Sequence, residues 1–189
     1  MYLIWYVFLL ICYICHYINC AEDILLNNDA SASQSTVLVL GSAGNIGSSL
    51  KEHLIKANYN VLEVRNRKHI DLRQSGALDV FNPQEIDFVY FLACEVGGAK
   101  YIASNNTNYN LDIIENNLAI YKEVFPWLKK HKIPFIFTSS YLHQQYNAYG
   151  SIKRLGEQYI HAIEVGKIVR LWNVYGIEKI GIKSHVIND

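Results

Sequence analysis

From Thr36 onward, short apolar runs alternate with stretches whose apolar residues recur every three or four positions. The runs Val37–Leu40, Val61–Val64, Phe88–Leu92, Phe135–Thr138 and Ile168–Leu171 are rich in β-branched and aromatic residues, and they read as buried parallel strands. Between them the helical period predicts helices over 45–57, 74–81, 108–130 and 149–164. Pro126 falls inside the third of these, where it should kink or end the helix unless it begins a new turn. Strands alternating with helices predict an α/β fold built on a parallel sheet.

The chain ahead of this pattern is different. Residues 2–12 form an unbroken apolar run, and no charged residue occurs before Glu22. At this length the run suits a secretory signal or a short membrane anchor. A basic leading segment is missing and Ile18-Asn-Cys20-Ala21 is a tolerable cleavage site, so both stay open. Residues 1–20 are therefore read as signal or anchor, 21–35 as a polar linker and 36–189 as the folded domain. A genuine apolar segment implies the secretory pathway or membrane association through residues 2–18; otherwise the location is cytoplasmic.

The first strand runs into Gly41-Ser-Ala-Gly44-Asn45-Ile46-Gly47 and then into the amphipathic pattern Ser48 to Ile55. Glycines at 41 and 44 permit positive φ and bring backbone close to a pyrophosphate, while Gly47 lets the helix pack near the sheet. The amides that open the helix, with its dipole, then face phosphate. A strand, a glycine turn and a helix in this order point to dinucleotide binding, with Gly41, Gly44, Asn45, Ile46 and Gly47 as the phosphate loop.

A second feature lies near the other end. Tyr149 and Lys153 are four residues apart, so on a helix they share one face. A phenol with a free pKa of about 10 is a poor acid or base at neutral pH, and a nearby ammonium should lower that value toward the working range.

Charge and composition narrow the classes. Equal counts of 17 basic and 17 acidic residues argue against a nucleic-acid surface, and 189 residues with 51% hydrophobic content suffice for one good core. Cys12-Tyr-Ile-Cys15-His16 matches the haem c attachment pattern literally, but it sits inside the apolar run where no fold would surround a haem, and it is rejected. Four cysteines, three of them in that segment, give no disulfide framework, and Cys94 reads as a small core residue at a strand end. The seven histidines lack metal-ligand spacing, so no metal is expected.

Together with Asp71-Leu72, Phe91-Leu92-Ala93, Glu115-Asn-Asn117-Leu, Thr138-Ser-Ser140 and Arg170-Leu-Trp-Asn-Val-Tyr-Gly176, these motifs resemble the extended short-chain dehydrogenase/reductases, the NAD(P)-dependent nucleotide-sugar epimerases, dehydratases and reductases. Val89 to Gly98 is most similar to the GDP-fucose synthase branch. The resemblance implies a Rossmann fold, a doubly wound parallel sheet with helices on both faces, and hydride transfer at a carbon of a nucleotide sugar. It implies Tyr149 as general acid/base, Lys153 on the nicotinamide ribose and tuning the phenol, and Ser140, ahead of Ser139, hydrogen-bonded to the reacting hydroxyl or carbonyl. Asp71 and Leu72 would meet the adenine, and Leu92 and Ala93 would line the cofactor groove. Asn117, with the cofactor set, and Asn173, beside the substrate, would support the site. Homodimers through two helices per subunit are common in this family, here those near 108–130 and 149–164.

Three departures from the family pattern matter. Where an NAD site places a carboxylate after its second strand, this chain has Arg65, followed by Arg67, which predicts NADP in preference to NAD. Leu142 occupies the place of the cysteine acid of the fucose-synthase branch, which speaks against epimerisation of that kind, and the neighbouring His143 reads as a solvated loop residue in preference to an extra proton donor. Family members also continue beyond the position of Asp189 into a small domain that selects the sugar, so that substrate domain is expected to be absent or truncated here. Two functions follow: an epimerase, dehydratase or reductase, or a non-catalytic dinucleotide-binding module left after loss of the substrate domain.

Overall fold

A computed structural model describes residues 34–96 and 107–172. Five parallel strands, β1 (Thr36–Leu40), β2 (Asn60–Val64), β3 (Phe88–Phe91), β4 (Phe135–Ser140) and β5 (Gly166–Leu171), form one sheet in the order β2-β1-β3-β4-β5. The chain leaves β1 toward β2 and then returns across it to β3. The strand order therefore reverses at the carboxyl ends of β1 and β3, where open α/β sheets form their ligand crevice.

Alternation along the strands sorts the core into two layers. Leu38, Leu40, Val89, Phe91, Phe135 and Phe137 face helices α2 (Thr107–His131) and α3 (Ala148–Ile163), while Val37, Val39, Tyr90 and Ile136 face helix α1 (Asn45–Lys56) through Leu50 and Leu54. Helices thus cover both faces, as the sequence predicts. The α2/α3 layer is aromatic: Phe125 stacks on Tyr159 at 4.9 Å, and Phe91 lies edge-on to Tyr121, Phe125 and Phe137. Such pairs add to the burial of the rings themselves.

Two predicted elements differ. Over 74–81 the chain makes turns instead of a helix, with bonds from Gln74, Ala77, Asp79 and Phe81 N–H to carbonyls three residues back. Gly76 at φ 77° interrupts any ladder, and the Glu123 carboxylate of α2 accepts the Gly76 and Leu78 N–H groups at 3.2 and 3.4 Å. Leu78 is buried, which explains the apolar spacing that resembled a helix. The second difference is that α2 runs through Pro126 without ending. Pro126 lies on the exposed face, while Val124, Phe125, Trp127 and Leu128 on either side are buried and hold the helix together.

The apolar segment 2–18, the linker up to residue 33, Asn173 and the rest of the chain after Trp172 lie outside the described residues. Among the described residues no helix is long and apolar enough to cross a membrane.

Candidate dinucleotide and proton-transfer site

The turn after β1 is fastened to the end of β2: the N–H groups of Gly41 and Ser42 both donate to the Val64 carbonyl, at 2.7 and 3.1 Å, and Ala43 N–H donates to Arg65 O at 3.4 Å. Gly41 has φ 94°, and a Cβ there would lie 2.8 Å from the Ala93 nitrogen. Gly47 has no such torsion, but a Cβ on it would sit 2.2 Å from the Gly41 carbonyl oxygen. Both positions therefore require glycine. Gly44 corrects the expectation of a left-handed residue: it caps α1 at φ −76°, and an added Cβ would meet nothing nearer than 3.5 Å. No side chain caps α1, and its first turn, which includes Asn45, Ile46 and Gly47, carries no acidic residue. This open, positive helix end beside a close-packed backbone cradle fits a pyrophosphate.

Glu63 was not anticipated by the sequence. Its carboxylate accepts from Ser42 Oγ at 2.7 Å and Lys51 Nζ at 3.0 Å, and the Ser42 hydrogen bond, with Lys51, outweighs burial to hold it below the usual carboxylate range. Beyond it, Arg65 is exposed at the end of β2 and its guanidinium makes no salt bridge among the described residues. Arg67, in contrast, pairs with Glu95 across the groove at 2.5 Å. Leu92 and Ala93 extend β3 beside the glycine turn, with Leu92 N–H donating to Leu40 O at 3.0 Å.

Asp71 and Leu72 stand on the loop after β2. The Asp71 carboxylate accepts two bonds from the Arg73 guanidinium, at 2.8 and 2.6 Å, and Arg73 also donates to Asn116 at 2.8 Å. This fork lowers the Asp71 pKa to about 2. Leu72 packs its side chain into the core. Asn117 is fully buried, and its amide is engaged with backbone: Nδ2 donates to Ile113 O and Glu95 O, and Oδ1 accepts from Glu95 N–H. It positions the chain after β3, with both Nδ2 hydrogens committed to backbone and Oδ1 accepting from Glu95 N–H.

The residues predicted for proton transfer come together at the end of β4 and the start of α3. Asn147 caps α3 by accepting from Gly150 N–H at 2.7 Å, which sets Tyr149 and Lys153 one turn apart. Lys153 is 3% exposed, donates to the Thr138 carbonyl at 2.8 Å and lies 5.7 Å from the Tyr149 ring centre. Of the two serines at the end of β4, Ser140 is the one that acts on the Tyr149 phenol, favouring its ionised form, and its hydroxyl accepts from Leu142 N–H at 3.1 Å. Ser139 turns to the other side, where it donates to the buried Glu157 at 2.6 Å, itself held by the Arg170 fork. Ser140 is thus the serine beside the tyrosine.

The electrostatics correct one expectation. Burial raises the Tyr149 phenol, and although Lys153 and Ser140 pull it down, the net displacement is upward. Burial also opposes the Lys153 charge, but Cys94, Tyr149 and Glu157 outweigh it and lift the ammonium above its ordinary value. At neutral pH the pair is a neutral phenol beside a cation. Cys94 is likewise more than a core residue: it is half-buried, donates to Glu95 O at 3.5 Å and contributes to raising the Lys153 ammonium. Tyr121, from α2, completes the group with a fully buried hydroxyl that lacks a partner among the described residues. His143 is buried as well, not solvated: its Nδ1 lies 2.9 Å from Ser140 O, and Arg154 donates to its carbonyl at 2.6 Å.

The parallel sheet with its reversal at a glycine turn defines a Rossmann-like dinucleotide-binding domain. The chain belongs to the NAD dependent epimerase/dehydratase family, which it matches over residues 37–189. It is 36% identical over 89 residues to GDP-L-fucose synthase of Escherichia coli (strain K12), covering 47% of this chain and 26% of that protein. Among solved structures, a GDP-D-glycero-L-gluco-heptose synthase of Campylobacter jejuni, determined in the presence of NADPH, superposes with a TM-score of 0.65 at 20% identity over 76% of this chain and 48% of its own. A GDP-mannoheptose C4 reductase of the same organism, with NADP bound, gives 0.62 at 21% identity, covering 77% and 54%. The chain spans about half the length of these structures and about a quarter of the curated relative.

Proposed function

We propose that this chain binds NADP in preference to NAD and acts in hydride transfer at a carbon of a nucleotide sugar, with Ser140, Tyr149 and Lys153 as its proton-transfer site. The observation that carries this reading is the juxtaposition of the half-buried Tyr149 phenol, raised in pKa, with the buried Lys153 ammonium 5.7 Å from its ring and with Ser140, at the same sheet edge as the glycine cradle. The glycine turn and the open end of α1 would hold the pyrophosphate, and Arg65 and Arg67 would take the ribose phosphate. When bound, the dinucleotide supplies or accepts the hydride. The chain's own residues manage the proton: Ser140 orients the sugar oxygen, Tyr149 donates to or takes from it, and Lys153, fixed by Thr138, keeps positive charge beside the phenolic oxygen as it changes charge.

Proton transfer in the direction of carbonyl reduction suits a phenol that starts protonated. Reduction is therefore the favoured half of the chemistry, and Nδ1 of His143 is taken up by the Ser140 carbonyl. The direct test replaces Tyr149 with Phe and measures turnover of a 4-keto nucleotide sugar with NADPH. Turnover should fall by about 10²- to 10⁴-fold while NADPH affinity is retained; unchanged turnover would remove Tyr149 from the mechanism.

A further inference from the structure

The geometry points to Glu95 as a specificity-determining residue of the dinucleotide groove: its carboxylate holds the Arg67 guanidinium and competes for it with a cofactor 2′-phosphate. This rests on the dinucleotide reading above and extends it to a residue that no motif assigns.

The contact crosses the groove. Arg67 follows β2 and Glu95 follows β3, and these strands flank β1 on opposite sides, so the 2.5 Å pair reaches over the strand that carries the glycine turn. Its two ends are unequal. Glu95 is fixed: its N–H donates to Asn117 Oδ1 at 2.8 Å, its carbonyl accepts from Asn117 Nδ2 at 2.9 Å, and Asn117 is anchored to Ile113 O at 2.7 Å. The Glu95 side chain is 14% exposed and that of Arg67 45%. Arg67 is thus the partner free to leave, and a half-exposed pair of this kind is weak enough for a ligand to break. The third nearby cation, Arg73, is committed to Asp71 and Asn116 and cannot substitute.

A 2′-phosphate carries up to two negative charges. To use Arg67 it must displace the Glu95 carboxylate and then remain near it, whereas a ribose hydroxyl meets neither cost. Glu95 therefore weakens NADP binding selectively and narrows the preference that the two arginines create.

Calorimetric titration of the full 189-residue chain with adenosine 2′,5′-bisphosphate and with AMP isolates the phosphate, and NADPH and NADH serve as whole-cofactor controls. Glu95→Gln should tighten the bisphosphate by about three- to tenfold and change AMP by less than about twofold. The gain should vanish in the Arg67→Gln/Glu95→Gln double variant. Glu95→Ala removes the same carboxylate and gives the answer if the glutamine variant does not fold. An unchanged or weakened bisphosphate affinity in a wild-type background that binds NADPH overturns the role of Glu95 alone; a wild-type chain that binds neither dinucleotide overturns this inference together with the reading beneath it.

Discussion

Tyr149 illustrates how one residue is governed by opposing terms of comparable size. Lys153 and Ser140 stabilise its phenolate and burial destabilises it, with burial prevailing. The pH dependence of turnover follows from the sign. In the reducing direction the rate should be level through neutral pH and fall only in alkali, as the phenol loses its proton above the ordinary tyrosine range of about 10. Lys153→Met removes a lowering influence, so it should move that limb further up while reducing the maximal rate; a limb moving down would contradict the assignment. Asp71 gives the converse case for stability. Its folded pKa of about 2 lies below the unfolded value, so its pairing with Arg73 stabilises the fold above pH of about 4 and is lost as pH falls toward 2. With both side chains partly exposed, Asp71→Asn should cost about 1–2 kcal/mol at pH 7 in urea unfolding, and the difference from wild type should close by pH of about 2.

Elements show where sequence pattern suffices and where it does not. All five strands and the helices around 45–57, 108–130 and 149–164 were legible, because buried parallel strands and amphipathic helices leave unambiguous periods. The segment 74–81 misled because its apolar spacing is set by one buried residue, Leu78, and its N–H groups are satisfied by Glu123 from a distant helix. Contacts of that kind have no local signature. The same holds at the site: Tyr149, Lys153 and the glycine turn carry motifs, but Glu63, Glu95, Arg73 and Tyr121 join it only through strand order and side-chain reach. Gly47 tests the packing of α1 against the turn. Gly47→Ala should cost about 1–3 kcal/mol and weaken NADPH by about tenfold, because the new methyl collides with Gly41 backbone that cannot move away. Thermal melting and NADPH titration check the two effects separately.

At the scale of the molecule, the sheet order brings the ends of β1, β2, β3 and β4 to one edge, so the glycine turn proposed to hold phosphate, Arg65 and Arg67, and the proposed proton-transfer residues Ser140, Tyr149 and Lys153 gather there. The family match and the superpositions agree with this architecture, and the chain covers about half or less of each relative's length. The sugar and its contacts were not legible because the residues that distinguish one nucleotide sugar from another do not follow from strand ends. The crevice itself can be tested without a sugar. Titrating the full chain with NADPH and following nicotinamide fluorescence should give saturable binding at one site per chain, tighter than NADH and abolished by Gly47→Val. Absence of saturation up to about 1 mM NADPH, or NADH binding as tight as NADPH, would contradict the account.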